Sequence, residues 1–422
     1  MREMKDSGIE WVGEIPENWD TAKIKNLFLM ISGATPIAET EFWDGDIIWV
    51  TPADYKTKDK YIVSGKRNLT NAGYNSCSTT LVPKGSLIFS KRAPIGTVAI
   101  AATPLCTNQG CISCAPTGKV FSEFYYYVFS VCTEHFELLG TGTTFKEISA
   151  SNFANCAVPF PLADEQHRIA SYLDAKCAEI DALTADIQTQ IDTLEQYKRS
   201  VITEAVTKGL NPDVEMKDSG IQWIGSMPAH WNCIRGKYVL KYIQKPVRED
   251  DGVITCFRDG EVTLRSNRRE DGFTMADKEI GYQGIDVGDL VVHGMDGFAG
   301  AIGISDSRGK ASPVLNVLDT EQSKRYIMYF LRSMAYSDVF LALATGIRVR
   351  SCDLRWNKLS ELFYPVPPLE EQEAIVDYID SVLRRTDEVI AAKREQLSTL
   401  EAYKKSLIYE YVTGKKEVPH EG

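Results

Sequence analysis

The chain has 422 residues, of which 44% are hydrophobic and 25% are charged. This length predicts two or three domains, and the ordinary composition excludes a low-complexity or fibrous protein. The formal net charge of -11 argues at first sight against a nucleic-acid ligand, because phosphate binding favours a basic surface.

The acidic residues are concentrated in two stretches, 163–215 and 368–421, and the other long stretches are close to charge balance. A near-neutral domain can still carry a local basic face, so the net charge does not exclude DNA. No apolar run approaches the roughly 18 residues of a membrane span, and the polar first residues are unlike a signal peptide. We therefore expect a cytoplasmic protein without a membrane partner, whose ten cysteines are free thiols.

The first segment, MKDSGIEWVGEIPENW at residues 4–19, recurs as MKDSGIQWIGSMPAHW at residues 216–231. We call these two segments the heads. Helix-like segments repeat as well, because PLADEQ at residue 161 matches PPLEEQ at residue 367. The order head, variable block, helix therefore occurs twice. We interpret the heads as packing motifs that seat each block on the helices through Trp11, Pro16, Trp19, Trp223, Pro228 and Trp231.

The two variable blocks show faint similarity, which predicts one fold with different side chains at the working positions. KGSLIFSKRAPIGTVAI from Lys84 resembles VGDLVVHGMDGFAGAIGI from Val287. A pseudo-symmetric enzyme is the rival interpretation of the duplication. The predicted segments are a first domain at 1–160, a first spacer helix at 161–210, a second domain at 211–366, a second spacer helix at 367–415 and a tail at 416–422.

Three polar loops in the first block are candidate DNA contacts, because Arg, Lys, Asn, Gln and Asp side chains meet base edges and phosphates. SGATP (32–36) precedes the strand-like IIWVTPADYK (47–56), FSKRAPIG (89–96) follows a buried strand, and TGTTFKE (141–147) is rich in hydroxyls. The rival interpretation is that these are solvent-exposed loop charges. The candidate residues are Thr35, Trp49, Lys56, Lys91, Arg92, Thr143 and Lys146.

Cys106, Cys111 and Cys114 have C-x4-C-x2-C spacing, which also occurs in iron–sulfur sites. A clear fourth ligand is missing, although Cys132 is a candidate, and the segment has the pattern of a half-buried strand. Buried structural thiols are therefore the favoured interpretation over a cluster or zinc site.

Each helical segment follows a Pro-rich stop, begins with acidic residues and runs for about 45 residues without an internal Pro or Gly. In the first, Leu173, Ile180, Ile187, Leu194 and Val201 recur every seven residues. In the second, the strong residues Leu383, Ile390 and Leu397 hold the other seam position. Antiparallel pairing places strong layers against strong ones, whereas parallel pairing would set Ile187 against Lys393. We predict an antiparallel coiled coil within the chain, related by a pseudo-twofold axis. The alternative is that each helix packs separately on its own domain or on another chain.

The second block is richer in candidate DNA contacts. RDGEVTLRSNRRED (258–271) lies between turn signals, HGMDG (293–297) occupies the position of SKRAP in the first block, and TGIRVRS (345–351) places two arginines on one strand face. A solvated charged hairpin is the rival interpretation. The candidate residues are Arg258, Arg265, Asn267, Arg268, Arg269, His293, Asp296, Arg348 and Arg350.

Heads of the form MKDSGIxWxGxxPxxW, the helix starts PLADEQ and PPLEEQ, and helix ends of the form YKxSxIxExVT together resemble the specificity subunit of type I restriction-modification enzymes. The resemblance covers the whole chain and implies an α+β fold. In that family two α/β target recognition domains, held apart by spacer helices, each bind half of a bipartite, asymmetric DNA target. The implied partners are double-stranded DNA, two methyltransferase subunits and restriction subunits.

The sequence offers little chemistry of its own. It has no phosphate-binding GxxxxGK[ST] loop and no Asn/Asp-Pro-Pro-Tyr/Phe segment of adenine methyltransferases, and its five histidines lack ligand spacing. PDVEMK at Pro212 superficially resembles a nuclease motif, but its acidic residues are too close together. We expect no catalytic residue, metal or cofactor in this chain. The resemblance places S-adenosylmethionine, ATP and Mg in partner subunits that methylate adenine or cleave DNA.

Two other function classes stay open at this point. One is a coiled-coil scaffold whose blocks bind protein surfaces, and the other is a stand-alone DNA-binding regulator. A methyltransferase gene next to this one, or an adenine methyltransferase that copurifies with the chain, would favour the specificity subunit over both.

Overall fold

The computed structural model describes residues 2–56, 59–92, 94–142, 146–268, 280–343 and 354–419. The chain divides into two compact units. Unit 1 comprises Met1–Asp186 and Glu395–Gly422, and unit 2 comprises Ile187–Arg394. Each unit combines a β-sheet domain with parts of two long helices, as the α+β prediction requires.

The domain of unit 1 contains strands and short helices. Its described strands are β1 (Met4–Ile9), β2 (Gly13–Pro16), β3 (Asp20–Lys23), β4 (Phe28–Ser32), β5 (Trp43–Val50), β6 (Tyr61–Ile62), β7 (Arg67–Leu69), β8 (Leu87–Ser90), β9 (Val98–Ala101), β10 (Cys106–Thr107), β11 (Cys111–Pro116) and β12 (Ala157–Phe160). Its described helices are α1 (Ile24–Leu27), α2 (Asn71–Asn75), α3 (Ser122–Val131), α4 (Thr133–Leu138) and α5 (Ala150–Asn155).

The main sheet of unit 1 has the order β4-β11-β8-β9-β6, in which only the β6–β9 pair is parallel. A smaller sheet has the order β10-β5-β7. Strand β8 is buried along its whole length, because the main sheet is covered by α3 and by an aromatic cluster. In that cluster the ring of Phe89 stacks on Phe153 at 4.2 Å. This packing fixes the end of β8, from which Lys91 and Arg92 project.

The first long helix, α6 (Ala163–Lys208), leads from unit 1 into unit 2. The described strands of unit 2 are β13 (Met216–Asp218), β14 (Ser226–Pro228), β15 (Asn232–Arg235), β16 (Lys241–Ile243), β17 (Ile254–Cys256), β18 (Val262–Leu264), β19 (Gln283–Ile285), β20 (Leu290–His293), β21 (Ile302–Ile304), β22 (Gly309–Ala311), β23 (Leu315–Asp319) and β24 (Phe363–Val366). Its described helices are α7 (Gly236–Val239), α8 (Lys324–Tyr336), α9 (Val339–Ala342) and α10 (Trp356–Leu359), followed by the second long helix, α11 (Leu369–Val412).

The domain of unit 2 repeats the strand order of unit 1. Its main sheet has the order β16-β23-β20-β21, which matches β4-β11-β8-β9 strand for strand along the chain. The pairs β13–β14 and β15–β24 likewise match β1–β2 and β3–β12. The prediction that the two blocks share one fold is therefore confirmed, and β20, which ends at His293, is the counterpart of β8.

The two long helices run antiparallel within each unit. In unit 1, Tyr172 and Tyr411 stack with ring centres 4.6 Å apart, and Lys404 Nζ lies 2.7 Å from Asp181 Oδ1. Residue numbers therefore rise along α6 as they fall along α11. In unit 2, Lys198 Nζ lies 2.6 Å from Asp387 Oδ1. The predicted antiparallel pairing is confirmed within both units, and the seam residues that are buried include Leu173, Ile180, Ile187, Val201 and Ile390.

The heads form β-hairpins at the places where one long helix begins and the other ends. In both, the first Met pairs with the Pro near the end, as Met4 with Pro16 and Met216 with Pro228. Gly209, directly after α6, has a φ of +74° and lies against Trp231. A glycine suits this position because the left-handed conformation that ends a helix disfavours a Cβ atom. Gly414 repeats this arrangement after α11, against Pro16 and Trp19.

The EQ pair of each helix start explains why heads and helices repeat together. The buried indole of Trp19 donates to Glu165 Oε2 at 2.8 Å, and that of Trp231 donates to Glu371 Oε1 at 3.1 Å. The neighbouring glutamine, Gln166, accepts from the backbone N–H of Phe121, where α3 begins. Gln372 does the same for Ser323 at the start of α8. Each head is thus a packing motif, as predicted, that locks a domain onto its helices.

Candidate nucleic-acid interface

The first candidate surface lies at the end of β8 in unit 1, where two predicted loops meet. Lys91 Nζ lies 2.8 Å from Glu147 Oε1, and Arg92 Nε donates to Glu147 Oε2 at 2.9 Å. Thr141 and Glu147 exchange both backbone hydrogen bonds, and the N–H of Ile148 donates to Lys91 O at 3.0 Å, which holds Glu147 beside the end of β8. The pKa of Glu147 is lowered, chiefly because Lys91 hydrogen-bonds to its carboxylate, with Arg92 adding to the effect. Both cations are therefore held in place by one ionised carboxylate.

The two cations differ in their accessibility. The side chain of Arg92 is 48% exposed, whereas that of Lys91 is 19% exposed. Arg92 therefore offers its remaining N–H groups to a ligand more readily, and Lys91 mainly orients Glu147. Lys146 is exposed beside this pair, and Thr143 lies outside the described residues.

The third predicted loop of unit 1 is also anchored to its neighbours. Thr35 Oγ1 lies 2.5 Å from Gln109 Oε1, and the backbone N–H of Lys91 donates to Gly110 O at 3.0 Å. Gln109 is exposed and was not among the predicted contacts. The polar turn Asn-Gln-Gly between two cysteines was the signal for it, because such turns end strands and present side chains.

The structure assigns Trp49 to the core rather than to the surface. Its side chain is buried and packs edge-to-face on Trp43, with ring centres 5.0 Å apart. Its indole donates to Ala34 O at 3.0 Å, so it holds the 32–36 loop in place. The predicted DNA contact at Trp49 required an exposed side chain, whereas this side chain is part of the hydrophobic core. Lys56, at the other end of that segment, is exposed.

The three closely spaced cysteines lie in three different hydrophobic clusters. Cys106 packs with Trp43 and Trp49, Cys111 with Tyr55, and Cys114 with the aromatic core. Burial raises the pKa of Cys106 to about 11 and that of Cys111 to about 12, so both thiols are protonated. This arrangement is that of buried structural thiols. Among the described residues, no group of three or more His, Cys, Asp or Glu side chains is placed to hold a metal ion.

The second candidate surface is a cleft of about 580 Å³ in unit 2. It lies where the β17–β18 hairpin meets the end of β20, so it corresponds to the surface at the end of β8. Five predicted residues from two separate sequence segments line it together: Arg258, Arg265, Arg268, His293 and Asp296. The sequence placed these residues in different loops, and the fold brings them to one concave wall.

Two carboxylates of the β17–β18 hairpin balance the charge of Arg268, which follows β18. Its Nη1 donates to Asp259 Oδ1 and to Glu261 Oε2, both at 3.0 Å, and its Nη2 donates to Asp259 Oδ2 at 2.5 Å. Its guanidinium also lies 4.3 Å above the ring of Phe257. Burial raises the pKa of Asp259, but the hydrogen bonds from Arg268 outweigh this and leave the pKa lowered. Arg268 therefore acts mainly to shape the cleft.

Arg258, His293 and Asp296 form a second connected group in the cleft. Arg258 Nη2 donates to Asp296 Oδ1 at 2.8 Å, and the backbone N–H of Asp296 donates to His293 Nδ1 at 2.9 Å. Because Nδ1 accepts this hydrogen bond, the imidazole is neutral. Burial lowers the pKa of His293, and this outweighs the attraction of Asp296 for the charged form.

The remaining predicted residues of the second block have different settings. Arg265 Nε donates to Thr255 Oγ1 at 3.3 Å on the cleft wall. Asn267 Nδ2 donates to Thr263 Oγ1 at 2.9 Å, which ties this exposed side chain to β18. Arg269, Arg348 and Arg350 lie outside the described residues.

Comparison with known proteins gives a concordant result. Residues 16–193 match the family model described as type I restriction modification DNA specificity domain. Residues 16–193 are thus similar to that family. The family resemblance that the motifs indicate is thereby confirmed, and the match extends from Pro16, near the end of the first head, through about two thirds of α6.

Individual specificity subunits are similar to the chain over different lengths. The specificity subunit of type I restriction enzyme MjaIX from Methanocaldococcus jannaschii is 38% identical over 189 residues, which cover 44% of this chain and 43% of that subunit. The chain thus aligns with less than half of this relative's length. The StySPI specificity subunit from Salmonella potsdam is 19% identical over 429 residues, covering 94% of this chain and 89% of that subunit.

Solved structures resemble the chain along nearly its whole length. A structure described in terms of the complex assembly and conformational transition of the type I restriction-modification system has a TM-score of 0.69 at 16% identity, covering 95% of this chain and 99% of that one. The crystal structure of the HsdS subunit from Thermoanaerobacter tengcongensis has a TM-score of 0.53 at 16% identity, covering 95% and 98%. At this identity the likeness shows the fold alone.

The domain of unit 1 and its repeat in unit 2 carry different groups at equivalent strand ends. After β8 the domain presents Lys91 and Arg92, whereas the repeat presents His293 at the end of β20 and Asp296 shortly after it. Among the described residues, no helix combines the length and apolarity of a membrane span.

Proposed function

We propose that this chain is the DNA sequence-specificity subunit of a type I restriction-modification system. It binds a bipartite, asymmetric DNA target, and each of its two domains recognises one half-site. The observation that carries the proposal is the pair of equivalent strand-end surfaces, which share one fold but differ in charge and shape. Two domains that share one fold but carry different side chains at the same positions are suited to recognise two different base sequences.

The chemical character of both surfaces supports recognition of DNA. Both present guanidinium and hydroxyl donors at the ends of buried strands, where rigid packing fixes their positions, and the surface of unit 1 adds the ammonium group of Lys91. Base edges and phosphates are read by such donors, and recognition requires that they be held before the DNA arrives. The carboxylates of Glu147 and Asp296 do this on the two surfaces.

The subunit acts through partners in this proposal. It recruits two methyltransferase subunits, and restriction subunits join them, so that one bound sequence directs either adenine methylation or DNA cleavage. S-adenosylmethionine, ATP and Mg belong to those partners. Cytoplasmic location follows from the same role, because the DNA substrate is there.

The test is purification of the tagged, full-length chain from its host, followed by mass spectrometry and a methylation assay. We expect an adenine methyltransferase to copurify and to transfer methyl groups from S-adenosylmethionine to host-derived DNA that lacks the modification. Copurification of proteins without methyltransferase activity would support a scaffold instead. Sequence-specific DNA binding by the chain without any partner would support a stand-alone regulator.

A further inference from the structure

We propose that Arg258 is a specificity-determining residue that reads a guanine in the half-site bound by unit 2, and that Asp296 is its positioning residue. This inference rests on the proposed DNA-specificity function and goes further by naming the base and the side chain. It starts from the cleft, where three arginines line one wall but only one of them has the setting of a base reader.

Arg258 is both exposed and oriented. Its side chain is 64% exposed, yet Asp296 holds it through a single contact to Nη2. Asp296 is in turn fixed by its backbone hydrogen bond to His293, which ends the buried strand β20. The guanidinium is therefore connected to the sheet through two short contacts, which reduces the side-chain entropy that binding would cost.

The contact with Asp296 leaves a donor pair available. It uses one N–H of Nη2, and among the described residues Nη1 of Arg258 has no hydrogen-bond acceptor. Because the guanidinium is planar, the second N–H of Nη2 points parallel to a neighbouring N–H, that of Nη1 or that of Nε. This fork fits two acceptors that lie side by side.

The other two arginines are engaged differently. Both terminal nitrogens of Arg268 are bonded to carboxylates, so its fork is already filled. Arg265 is half-buried and bonded to Thr255 on the wall of the cleft. Of the three, only Arg258 has an exposed side chain, a carboxylate that anchors it and two neighbouring N–H groups without an acceptor among the described residues.

The fork selects guanine over the other bases. Guanine presents two adjacent acceptors, N7 and O6, on its major-groove edge, and bidentate arginine is the commonest specific contact to it. Adenine presents an acceptor beside an amino group, which would face an arginine N–H. A phosphate could also accept from the fork, but Asp296 balances the charge of Arg258 and so weakens a purely electrostatic contact.

The experiment uses the tagged full-length chain, purified with the subunits that accompany it, and duplexes that carry the methylated motif of its host. Each guanine in the motif is replaced in turn by 7-deazaguanine, which lacks the N7 acceptor. We expect the wild-type complex to bind one substituted duplex about 10- to 100-fold more weakly than the unmodified one. Arg258→Ala should remove this difference at that position and leave the other half-site unchanged.

Three further variants distinguish reading from folding. Arg258→Lys keeps the charge but lacks the fork, so it should lose the preference for guanine. Asp296→Asn should weaken the preference at the same position without changing the thermal unfolding of the complex. Arg235→Ala is the matched control, because Arg235 is an exposed arginine paired with Glu361 outside the cleft and should retain the full preference.

Other outcomes would overturn the inference. If Arg258→Ala still discriminates 7-deazaguanine at every position, another residue reads that base. Arg258→Ala could instead weaken binding equally on all sequences and lower, by about one, the slope of the logarithm of the binding constant against the logarithm of salt concentration. That result would show that Arg258 contacts a phosphate. If the wild-type complex binds DNA without any sequence preference, the proposed function itself fails, and that result is distinct from both.

Discussion

At the scale of single residues, the structure separates cations that shape the surface from those that can meet a ligand. Arg268 is held by two carboxylates and by the ring of Phe257, whereas Arg92 is half-exposed beside Glu147. Sequence alone identifies both as charged loop residues. It cannot give their partners, because Glu147 lies 55 positions after Arg92 and its approach depends on how the 141–147 loop packs.

The first prediction concerns the surface at the end of β8. Replacing Lys91 and Arg92 together by Ala should weaken recognition of one half-site by about 1–3 kcal/mol, because a good bidentate contact is worth that much. The other half-site should be recognised as before. Methylation of duplexes with single-base changes in each half-site measures this.

A matched control for that variant is Lys84→Ala, an exposed lysine just before the opposite end of β8. It should leave recognition unchanged. Loss of discrimination at both half-sites in the double variant, or a change confined to the half-site assigned to unit 2, would contradict the assignment of one surface to each domain.

The second prediction concerns pH. The pKa of His293 is lowered, so as pH falls below about 6.5 the unfolded chain binds a proton that the folded chain resists. Stability is therefore lost on acidification, until the folded imidazole is protonated as well. His293→Asn keeps an acceptor for the Asp296 N–H but does not titrate, so its denaturation midpoint should fall less between about pH 7.5 and 5.5.

Urea denaturation of both proteins at the two pH values measures this difference. His135, whose pKa is also lowered by burial, is present in both proteins and so contributes equally. A variant that loses as much stability as the wild type would show that His293 is not responsible.

At the scale of secondary-structure elements, the repeated segments predict much of the fold. The heptads of α6 and α11 predict the antiparallel pairing, because strong apolar layers must face one another. The head hairpins were not predicted, since the alternation of polar and apolar residues in each head is too irregular to indicate a strand. Trp49 was misplaced because an apolar strand ending in a polar turn does not reveal which face is buried.

The third prediction tests the junction between head and helix in unit 2. The indole N–H of Trp231 is bonded to Glu371, whereas that of Trp223 is buried and finds no acceptor among the described residues. Trp231→Phe should therefore reduce the free energy of unfolding by about 1–3 kcal/mol more than Trp223→Phe.

The two variants remove the same atoms, so their difference isolates the hydrogen bond and the local packing. Denaturation of both variants, followed by circular dichroism, provides the comparison. Equal losses would show that Glu371 contributes nothing through Trp231.

At the scale of the whole molecule, duplication explains how one chain carries two different surfaces. Head, domain and helix recur in the same order, and both main sheets share four strands in the same arrangement. The repeated architecture could be predicted because the residues that pack each head on the helices are nearly the same in both copies. The target bases could not be predicted from the sequence, because the two surfaces differ most where contact would occur and the sequence does not show which side chains have free donors.

The most direct test of the central claim is single-molecule methylome sequencing of the host with and without this gene. We predict that one bipartite, asymmetric adenine motif is methylated in the wild type, disappears on deletion and returns when the gene is restored. An unchanged methylome, or a lost motif that is continuous rather than split into two half-sites, would contradict the claim that each unit recognises one half of a shared target.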